Sequence, residues 1–229
     1  VCMTSTDVNV YLKNLSFWNH ISDDDKRLII DKLHLLHYEA GQSVHSGEDE
    51  CLGALIIRRG ILRTFLLSDD GKETTMFRLR EGSICILSAS CILSAITFDV
   101  QIEAETDCDV LLIPSAVFQS LMKNNIYVEN FAYRLMTERF SDVISAVERM
   151  FFMNLRQRIA VFLIDESVAQ RSSTLALTQE QLAKAIGSAR EAVSRNLKLL
   201  VKDGCIEISR GTINILDKKM LYEIISTEG

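Results

Sequence analysis

Residues 178–200 restrict the fold of this chain more than any other stretch, because they have the pattern of two short helices joined by a tight turn. Thr178 and Gln181 have the spacing of a capping box, which predicts a helix N-terminus. Ser188 and Glu191 repeat that spacing and predict a second one. A glycine between the two pairs permits the backbone that ends a helix. The stretch predicts a helix-turn-helix.

The second of these helices has one apolar face and one polar face. The apolar face recurs at helical spacing, so we expect burial of Val193, Leu197, Leu200 and Val201. On the polar side, arginine can pair with guanine, glutamate can accept from cytosine, and serine can contact a base or a phosphate. The candidates for DNA contact are Ser188, Arg190, Glu191, Ser194, Arg195 and Lys198. The alternative is a solvated amphipathic helix within an ordinary helical domain.

A small hairpin follows the two helices. Residues 205–209 and 212–215 alternate between apolar and polar side chains around Arg210 and Gly211, which is typical of two strands joined by a tight turn. Together with the preceding helices, the hairpin predicts a winged helix.

These segments carry a resemblance to a known family. Residues 177–183, the hexapeptide Arg-Glu-Ala-Val-Ser-Arg at 190–195 and the hairpin resemble the DNA-binding signature of the Crp/Fnr family of bacterial transcription regulators. The resemblance implies that Arg190, Glu191 and Ser194, together with Arg195, contact base edges and phosphates. It leaves two roles open for Glu191, which could cap its own helix or read a base.

The N-terminal part has a different pattern. Residues 7–38 have helical spacing of apolar residues, whereas residues 42–113 contain short apolar runs punctuated by glycines, which predicts a β-roll or barrel. The glycine spacing also resembles the sensor domain of the same family, which has the cyclic-nucleotide-binding fold. We therefore expect an α+β chain: an N-terminal β-roll (a cyclic-nucleotide-binding-like jelly roll) at 1–125, a long dimerisation helix at 126–154 and a C-terminal winged helix-turn-helix at 155–229.

The long helix, predicted at about 127–153, has apolar residues every three or four positions. This spacing suits one seam packed on the roll and a second packed on another subunit. Burial within one monomer is the alternative. Because helix-turn-helix proteins generally read two half-sites, we expect a homodimer on an inverted repeat in double-stranded DNA. RNA polymerase is kept as a candidate partner.

Charge and hydropathy limit the location and the partners. The net charge is −6, yet residues 156–229 carry 11 basic and 9 acidic side chains, so this is the relatively basic part. The sequence has no apolar run long enough for a membrane helix and no targeting pattern at its start, so we expect a cytoplasmic protein without a membrane partner. An enzyme of the cupin kind would need several histidines in the roll, and residues 42–113 contain only His45. We expect no enzymatic activity.

The signal for the sensor domain is not identified by the sequence. Relatives that bind cyclic AMP carry an arginine in the phosphate-binding segment, whereas this chain has no arginine between Arg80 and Arg134 and has Asp99 in the corresponding region. The polar pair that contacts the purine in those relatives corresponds to Val143 and Ile144. Cyclic AMP is therefore not expected as the ligand.

Cysteines and histidines give the remaining candidates. Cys85 and Cys91, with Ser88 and Ser90, lie at the segment that corresponds to the phosphate site, which suggests a thiol switch or a site for an electrophile, metal or haem. Packing of the cysteines in the core is the alternative. The sequence lacks the clustered N-terminal cysteines of the family members that hold an iron-sulfur cluster, so such a cluster is not supported. Haem is not supported by a motif of its own either, and the cofactor stays unknown. His34 and His37 have the spacing of one helical face, but packing is a more common role than metal binding.

Taken together, these features predict a Crp/Fnr-type regulator gated by a small molecule or a redox signal. The runner-up is a sensor or interaction module that has lost regulated DNA binding.

Overall fold

A computed structural model describes residues 5–46, 52–69, 71, 73–86 and 100–226. The chain divides into two compact units. The first combines the described residues up to Leu66 with Met76–Val143, and the second combines Leu67–Thr75 with the described residues from Ile144 onward. Within the described residues, no helix has the length and apolar character needed to span a membrane.

Two four-stranded sheets form the β-roll. The strands are β1 (His34–Tyr38), β2 (Ser43–His45), β3 (Gly53–Arg59), β4 (Leu62–Leu67), β5 (Glu73–Leu79), β6 (Ile84–Cys85), β7 (Gln101–Ala104) and β8 (Cys108–Pro114). One sheet has the order β1-β8-β3-β6 and the other β2-β7-β4-β5. In the central antiparallel pair, Leu55 of β3 lies opposite Leu112 of β8.

Strand β3 is buried on both faces, which explains its continuous apolar run. Ala54 and Ile56 pack in a cluster with residues from the surrounding helices. Leu55 and Ile57 point the other way, into the interior of the roll. Because successive side chains of a strand alternate between faces, one strand serves two cores.

Helices flank this roll along the chain. They are α1 (Ser5–Lys13), a single 3₁₀ turn (Trp18–His20), α2 (Asp23–Lys32), α3 (Ser115–Asn124) and the long α4 (Ile126–Phe152). The amide of Asp25 donates to the Ser22 hydroxyl at 3.1 Å, which caps the start of α2.

The helical interpretation of residues 33–38 was wrong. Leu33 already has extended backbone, and His34–Tyr38 form β1 in antiparallel register with β8. Pairing along the whole of β1 outweighs a local helical spacing of apolar residues. His34 and His37 consequently point to opposite faces of a strand, and they do not share a helical face.

Most of the second unit, from Leu155 onward, is a winged helix. It contains α5 (Leu155–Ala169), β9 (Thr174–Ala176), α6 (Gln179–Ile186), α7 (Arg190–Lys202), β10 (Ile206–Ser209), β11 (Thr212–Ile215) and α8 (Lys218–Ser226). Strands β10 and β11 form the expected hairpin, in which Ser209 lies opposite Thr212. Strand β9 completes the sheet on the other side of β11, a strand that sequence patterns missed.

The mixed fold expected from the sequence is confirmed: a β-roll, a long helix and a winged helix-turn-helix follow one another along the chain. The domain boundaries after residues 125 and 154 stay predictions.

Candidate nucleic-acid interface

The first helix of the helix-turn-helix begins at the capping box that the sequence predicts. The amide of Gln181 donates to the Thr178 hydroxyl at 3.1 Å, and the Gln181 side chain accepts from the Thr178 amide at 2.8 Å. Helix α6 ends at Gly187, whose φ of 63° is in the left-handed region. Glycine adopts this conformation without the strain that a side chain would add. The sharp turn into α7 follows directly.

The second predicted capping box is absent. Helix α7 begins at Arg190, and its N-cap residue is Ala189, which makes no side-chain cap. The amide of Ser188 instead donates to the Ala183 carbonyl at 3.0 Å. Ser188 therefore belongs to the end of α6, and Glu191 is free of a capping role in α7.

Three apolar residues hold α7 in place. Val193, Leu197 and Leu200 are fully buried in the core of the winged helix, as the sequence predicts. Val201 was expected with them, but its side chain is 41% exposed. A helix turns about 100° per residue, so a residue directly after Leu200 points away from the face that Leu200 buries.

Polar contacts fix the ends of the helices. Arg158 on α5 donates to the Ile186 carbonyl at 3.3 Å, which satisfies a carbonyl at the end of α6. Burial lowers the pKa of the Arg158 guanidinium. Arg156 forms an ion pair with Asp203, the C-cap residue of α7. Helix α5 thus supports both helices of the motif.

The polar face of α7 is presented to solvent. Arg190, Glu191, Arg195 and Lys198 are exposed, while Ser194 and the preceding Ser188 are partly buried. Among the described residues, none of the three basic side chains of this face forms an ion pair. The face therefore offers cations and a carboxylate to a partner outside the chain.

A cavity opens beside this face. It has a volume of about 400 Å³ and lies between the start of α6, the start of α7 and the hairpin. Its lining includes Thr178, Gln179, Glu180, Arg190, Ser209 and Arg210. Sequence analysis did not identify this cavity, because its lining comes from three separate segments; the arginine at the hairpin tip was the one available signal.

Of the four candidate effector residues, only Cys85 lies within the described part of the chain. Cys85 on β6 pairs with Leu55 of β3 and is 1% exposed within the roll core. Ser88, Ser90 and Cys91, like Asp99, lie outside the described residues. The two residues of α4 that correspond to the purine contacts have different environments: Val143 packs against the roll core, and Ile144 is exposed.

Within the described parts of the chain, no group of three histidine, cysteine or acidic side chains is arranged to hold a metal ion. In the histidine pair noted from the sequence, His34 and His37, the side chain of His37 contacts a carboxylate. Its Nδ1 lies 2.8 Å from Asp109 Oδ1.

Comparisons with known proteins identify both units. Residues 35–125 match the family model of the cyclic nucleotide-binding domain, and residues 157–224 match that of the Crp-like helix-turn-helix domain. A crystal structure of a Crp/Fnr-family protein from Eubacterium rectale ATCC 33656 is 38% identical in sequence, with a TM-score of 0.87, and the match covers 94% of this chain and 100% of that one. The chain belongs to the Crp/Fnr family of transcriptional regulators.

Curated members of the family match over much of their length. The transcriptional regulator SdrP of Thermus thermophilus is 26% identical over 179 residues, covering 76% of this chain and 84% of SdrP. The cyclic AMP receptor protein of the same organism is 20% identical over 213 residues, covering 93% of this chain and 98% of that protein. The resemblance inferred from residues 177–195 and from the glycine spacing is confirmed, and this Crp/Fnr protein has the DNA-binding motif of a transcriptional regulator.

Proposed function

We propose that this Crp/Fnr protein acts as a homodimer that binds an inverted repeat in double-stranded DNA and responds to a signal other than cyclic AMP. The proposal depends on two features that occur in the same chain: an exposed, cationic face on α7 and an exposed apolar stripe on α4. The first reads DNA, and the second joins two copies so that two α7 helices are available.

The stripe on α4 supports the dimer. Its members are large apolar side chains left in solvent: Tyr133, Phe140, Ile144, Val147 and Phe151. At about 3.6 residues per turn these five fall on one side of the helix. Phe140 is 66% exposed and Phe151 is 79% exposed, which is costly for a helix that stays in water.

A second apolar side of α4 is buried within the monomer. Val128, Phe131 and Ala132 are buried in the helix-flanked core of the first unit, and Met136 and Val143 pack at the edge of the roll core. The exposed stripe lies on a different side of the helix. Burial within one monomer accounts for the buried side only, so a second copy is the occupant that the proposal assigns to the stripe.

The exposed polar face of α7 supports the proposed DNA contacts. Arg190 and Arg195 are candidates for guanine edges, Glu191 for a cytosine amino group, and Ser194 for a base or a phosphate. Lys198 and Ser188 are candidates for the phosphates that flank those bases. A two-fold dimer would place two such helices on half-sites about 34 to 36 Å apart.

The signal proposed for the roll is a small molecule or a redox change. Cyclic AMP is disfavoured because the chain has no arginine between Arg80 and Arg134 to neutralise the cyclic phosphate. At the positions of the purine contacts, Val143 and Ile144 offer no hydrogen bond. A ligand gates DNA binding only if it binds one arrangement of the dimer better than another.

The test combines DNA selection with a charge placed on the stripe. We expect random-sequence selection on purified protein to recover an inverted repeat. Phe140→Glu should yield monomers in sedimentation equilibrium and bind that repeat about 100-fold more weakly, since the second half-site no longer adds avidity. Ser141→Glu places the same charge on the neighbouring exposed residue outside the stripe and should stay dimeric with full affinity.

Two results would count against the proposal. If Phe140→Glu remained dimeric, the stripe would not be the interface. If no sequence were enriched under reducing or oxidising conditions, with or without a cell extract of small molecules, a module that has lost regulated DNA binding would fit better.

A further inference from the structure

The end of helix α6 carries an inference that rests on the proposed DNA binding and deepens it. We propose that the segment Leu67–Thr75, which joins β4 to β5, positions the recognition helix: Glu73 and Thr75 hold the end of α6 and so fix the turn that leads into α7. This β4–β5 segment belongs to the same compact unit as the winged helix. Both are positioning residues, and neither is assigned a contact with DNA.

Backbone carbonyls at the end of α6 give the first argument. The last four carbonyls of a helix have no partner within it. Here two of them accept from side chains of other elements: Thr75 Oγ1 donates to the Lys184 carbonyl at 3.3 Å, and Arg158 of α5 donates to the Ile186 carbonyl. The last turn of α6 is therefore held by two separate elements.

The side chain of the same lysine makes a second contact with the segment. Lys184 Nζ lies 3.8 Å from Glu73 Oε2, and the two side chains are 42% and 30% exposed. A pair this exposed contributes little to stability by itself. Glu73 and Thr75 are two residues apart in β5, so they point to the same side of the strand. Together they hold both the backbone and the side chain of one residue of α6.

Gly187 permits the segment to approach the turn closely. A Cβ at this position would lie 3.3 Å from the carbonyl oxygen of Glu73 and 3.7 Å from Thr74 Cα. The left-handed backbone that ends α6 also requires this glycine. Helix α7 begins three residues later, at Arg190, so a contact at Gly187 acts directly on the turn between the two helices.

The segment leaves the reading surface accessible. Arg190, Glu191, Arg195 and Lys198 are exposed while these contacts are in place, so the contacts are compatible with DNA binding. Both ends of the segment run into β4 and β5, which are neighbours in one sheet, so the segment is anchored on both sides. Side chains that recognise a ligand need such a support to hold their geometry.

The first test measures residue-resolved hydrogen exchange at the amides of Gly187 and Ser188, which close the end of α6. Glu73→Lys and Lys184→Glu each place like charges opposite one another and should speed this exchange about threefold. The double variant with both changes restores opposite charges and the wild-type net charge, so it should return to the wild-type rate.

Lys219→Glu is the matched control for these charge reversals. Lys219 is exposed on α8 of the same unit, and its reversal should leave exchange at the two amides unchanged. Single variants with wild-type exchange rates would overturn the inference. A double variant that exchanges faster than either single variant would do the same, since independent effects add whereas a direct contact is rescued.

The second test compares binding to the selected repeat with binding to unrelated DNA over a range of salt concentrations. Thr75→Val removes the hydrogen bond without changing charge, so it should weaken binding to the repeat about threefold. Affinity for unrelated DNA and the slope of log affinity against log salt should not change, because no phosphate contact is lost. Thr74→Val is the control, since it makes the same substitution on the opposite side of the strand.

The outcomes separate the positioning role from the proposed function. If wild-type protein enriches no DNA sequence, the proposed function fails. A repeat that wild type and Thr75→Val bind equally well refutes the positioning role alone. An equal loss on unrelated DNA with a smaller salt slope would assign Thr75 to a phosphate and would also overturn the inference.

Discussion

Helix α7 and the β-roll use their basic side chains in opposite ways. On α7, Arg190, Arg195 and Lys198 extend into solvent without an ion pair among the described residues. In the roll, two arginines form ion pairs with acids in β7 or directly after it. Arg63, 1% exposed at its side chain, lies 3.8 Å from Glu103, and Arg78 lies 2.5 Å from Glu105.

This difference explains why function is easier to infer from the exposed face of α7 than from the interior of the roll. A surface that binds DNA must leave its charges available, so its function is visible in which side chains are exposed. A sensor interior must balance its charges before a ligand arrives, because a buried, uncompensated charge costs several kcal/mol, of the order of 3 to 5. The roll therefore gives few outward signs of what it senses.

Leu197→Ala should have the largest effect on the winged helix. Leu197 is fully buried, so its truncation should lower the free energy of unfolding by about 2 to 5 kcal/mol. Urea unfolding followed by circular dichroism measures the loss. Leu199→Ala is the control, since Leu199 is 47% exposed on the same helix and should cost much less. Equal losses for both would mean that α7 is not anchored by the face described above.

Arg195→Ala should affect recognition and leave folding intact. Because Arg195 is exposed and forms no ion pair within the described ranges, we expect unchanged unfolding but a loss of about 1 to 3 kcal/mol in specific DNA binding. Competition binding against sites with single base changes would show relaxed preference at one position. Uniform loss over all sites would instead assign Arg195 to a phosphate.

Thiol labelling measures how strongly each core protects its buried cysteines. Cys85, Cys108 and Cys205 are each at most 1% exposed, and burial raises the pKa of the Cys108 and Cys205 thiols. Only the thiolate reacts, and a buried thiol reacts only after a local opening of the fold exposes it. If this opening costs about 3 kcal/mol, labelling should be roughly a hundredfold slower than in urea-unfolded protein. Mass spectrometry after peptide digestion identifies each site. Fast labelling of Cys85 in native protein would favour the thiol switch over core packing.

The smallest predicted effect is a pH dependence at the surface of the roll. The hydrogen bond from His37 lowers the pKa of Asp109; burial opposes this, and the charges of Arg59 and Arg58 add to it. Because the folded pKa lies below the ordinary value of 3.8, the stabilisation is present above pH 3.8 and is lost as pH falls through the folded pKa.

Asp109→Asn removes that dependence. The Asp109 side chain is 31% exposed, so solvent screening keeps the effect to a few tenths of a kcal/mol, roughly 0.2 to 0.5. Urea unfolding between pH 5 and pH 2 should show a slightly steeper loss for wild type than for the variant. Parallel curves would mean that the contact with His37 contributes nothing to stability.

Local sequence determined the winged helix because its signals act between near neighbours. The Thr178 capping box, Gly187 in the left-handed region, and the spacing of Val193 and Leu197 need only a few adjacent residues to have their effect. The hairpin around Gly211 is local in the same sense.

Tertiary structure decided what local patterns left ambiguous. Residues 34–38 have a helical spacing of apolar residues but form β1, because they pair with β8, whose residues lie 70 to 78 positions further along the chain. Ser188 is a different case: it has the spacing of a capping residue, but its amide closes α6 through the carbonyl of Ala183, five residues earlier in the chain. The contact that overrides the pattern is distant in sequence for β1 and local for Ser188.

The sequence by itself determined the family, the succession of β-roll, long helix and winged helix-turn-helix, and the polar face of α7, because these depend on spacing along one segment. Tertiary structure alone brought Arg190, Arg210 and Glu180 to one cavity and left one side of α4 exposed while the other was buried. Such juxtapositions depend on how distant segments fold together, and no periodicity within a single segment encodes them.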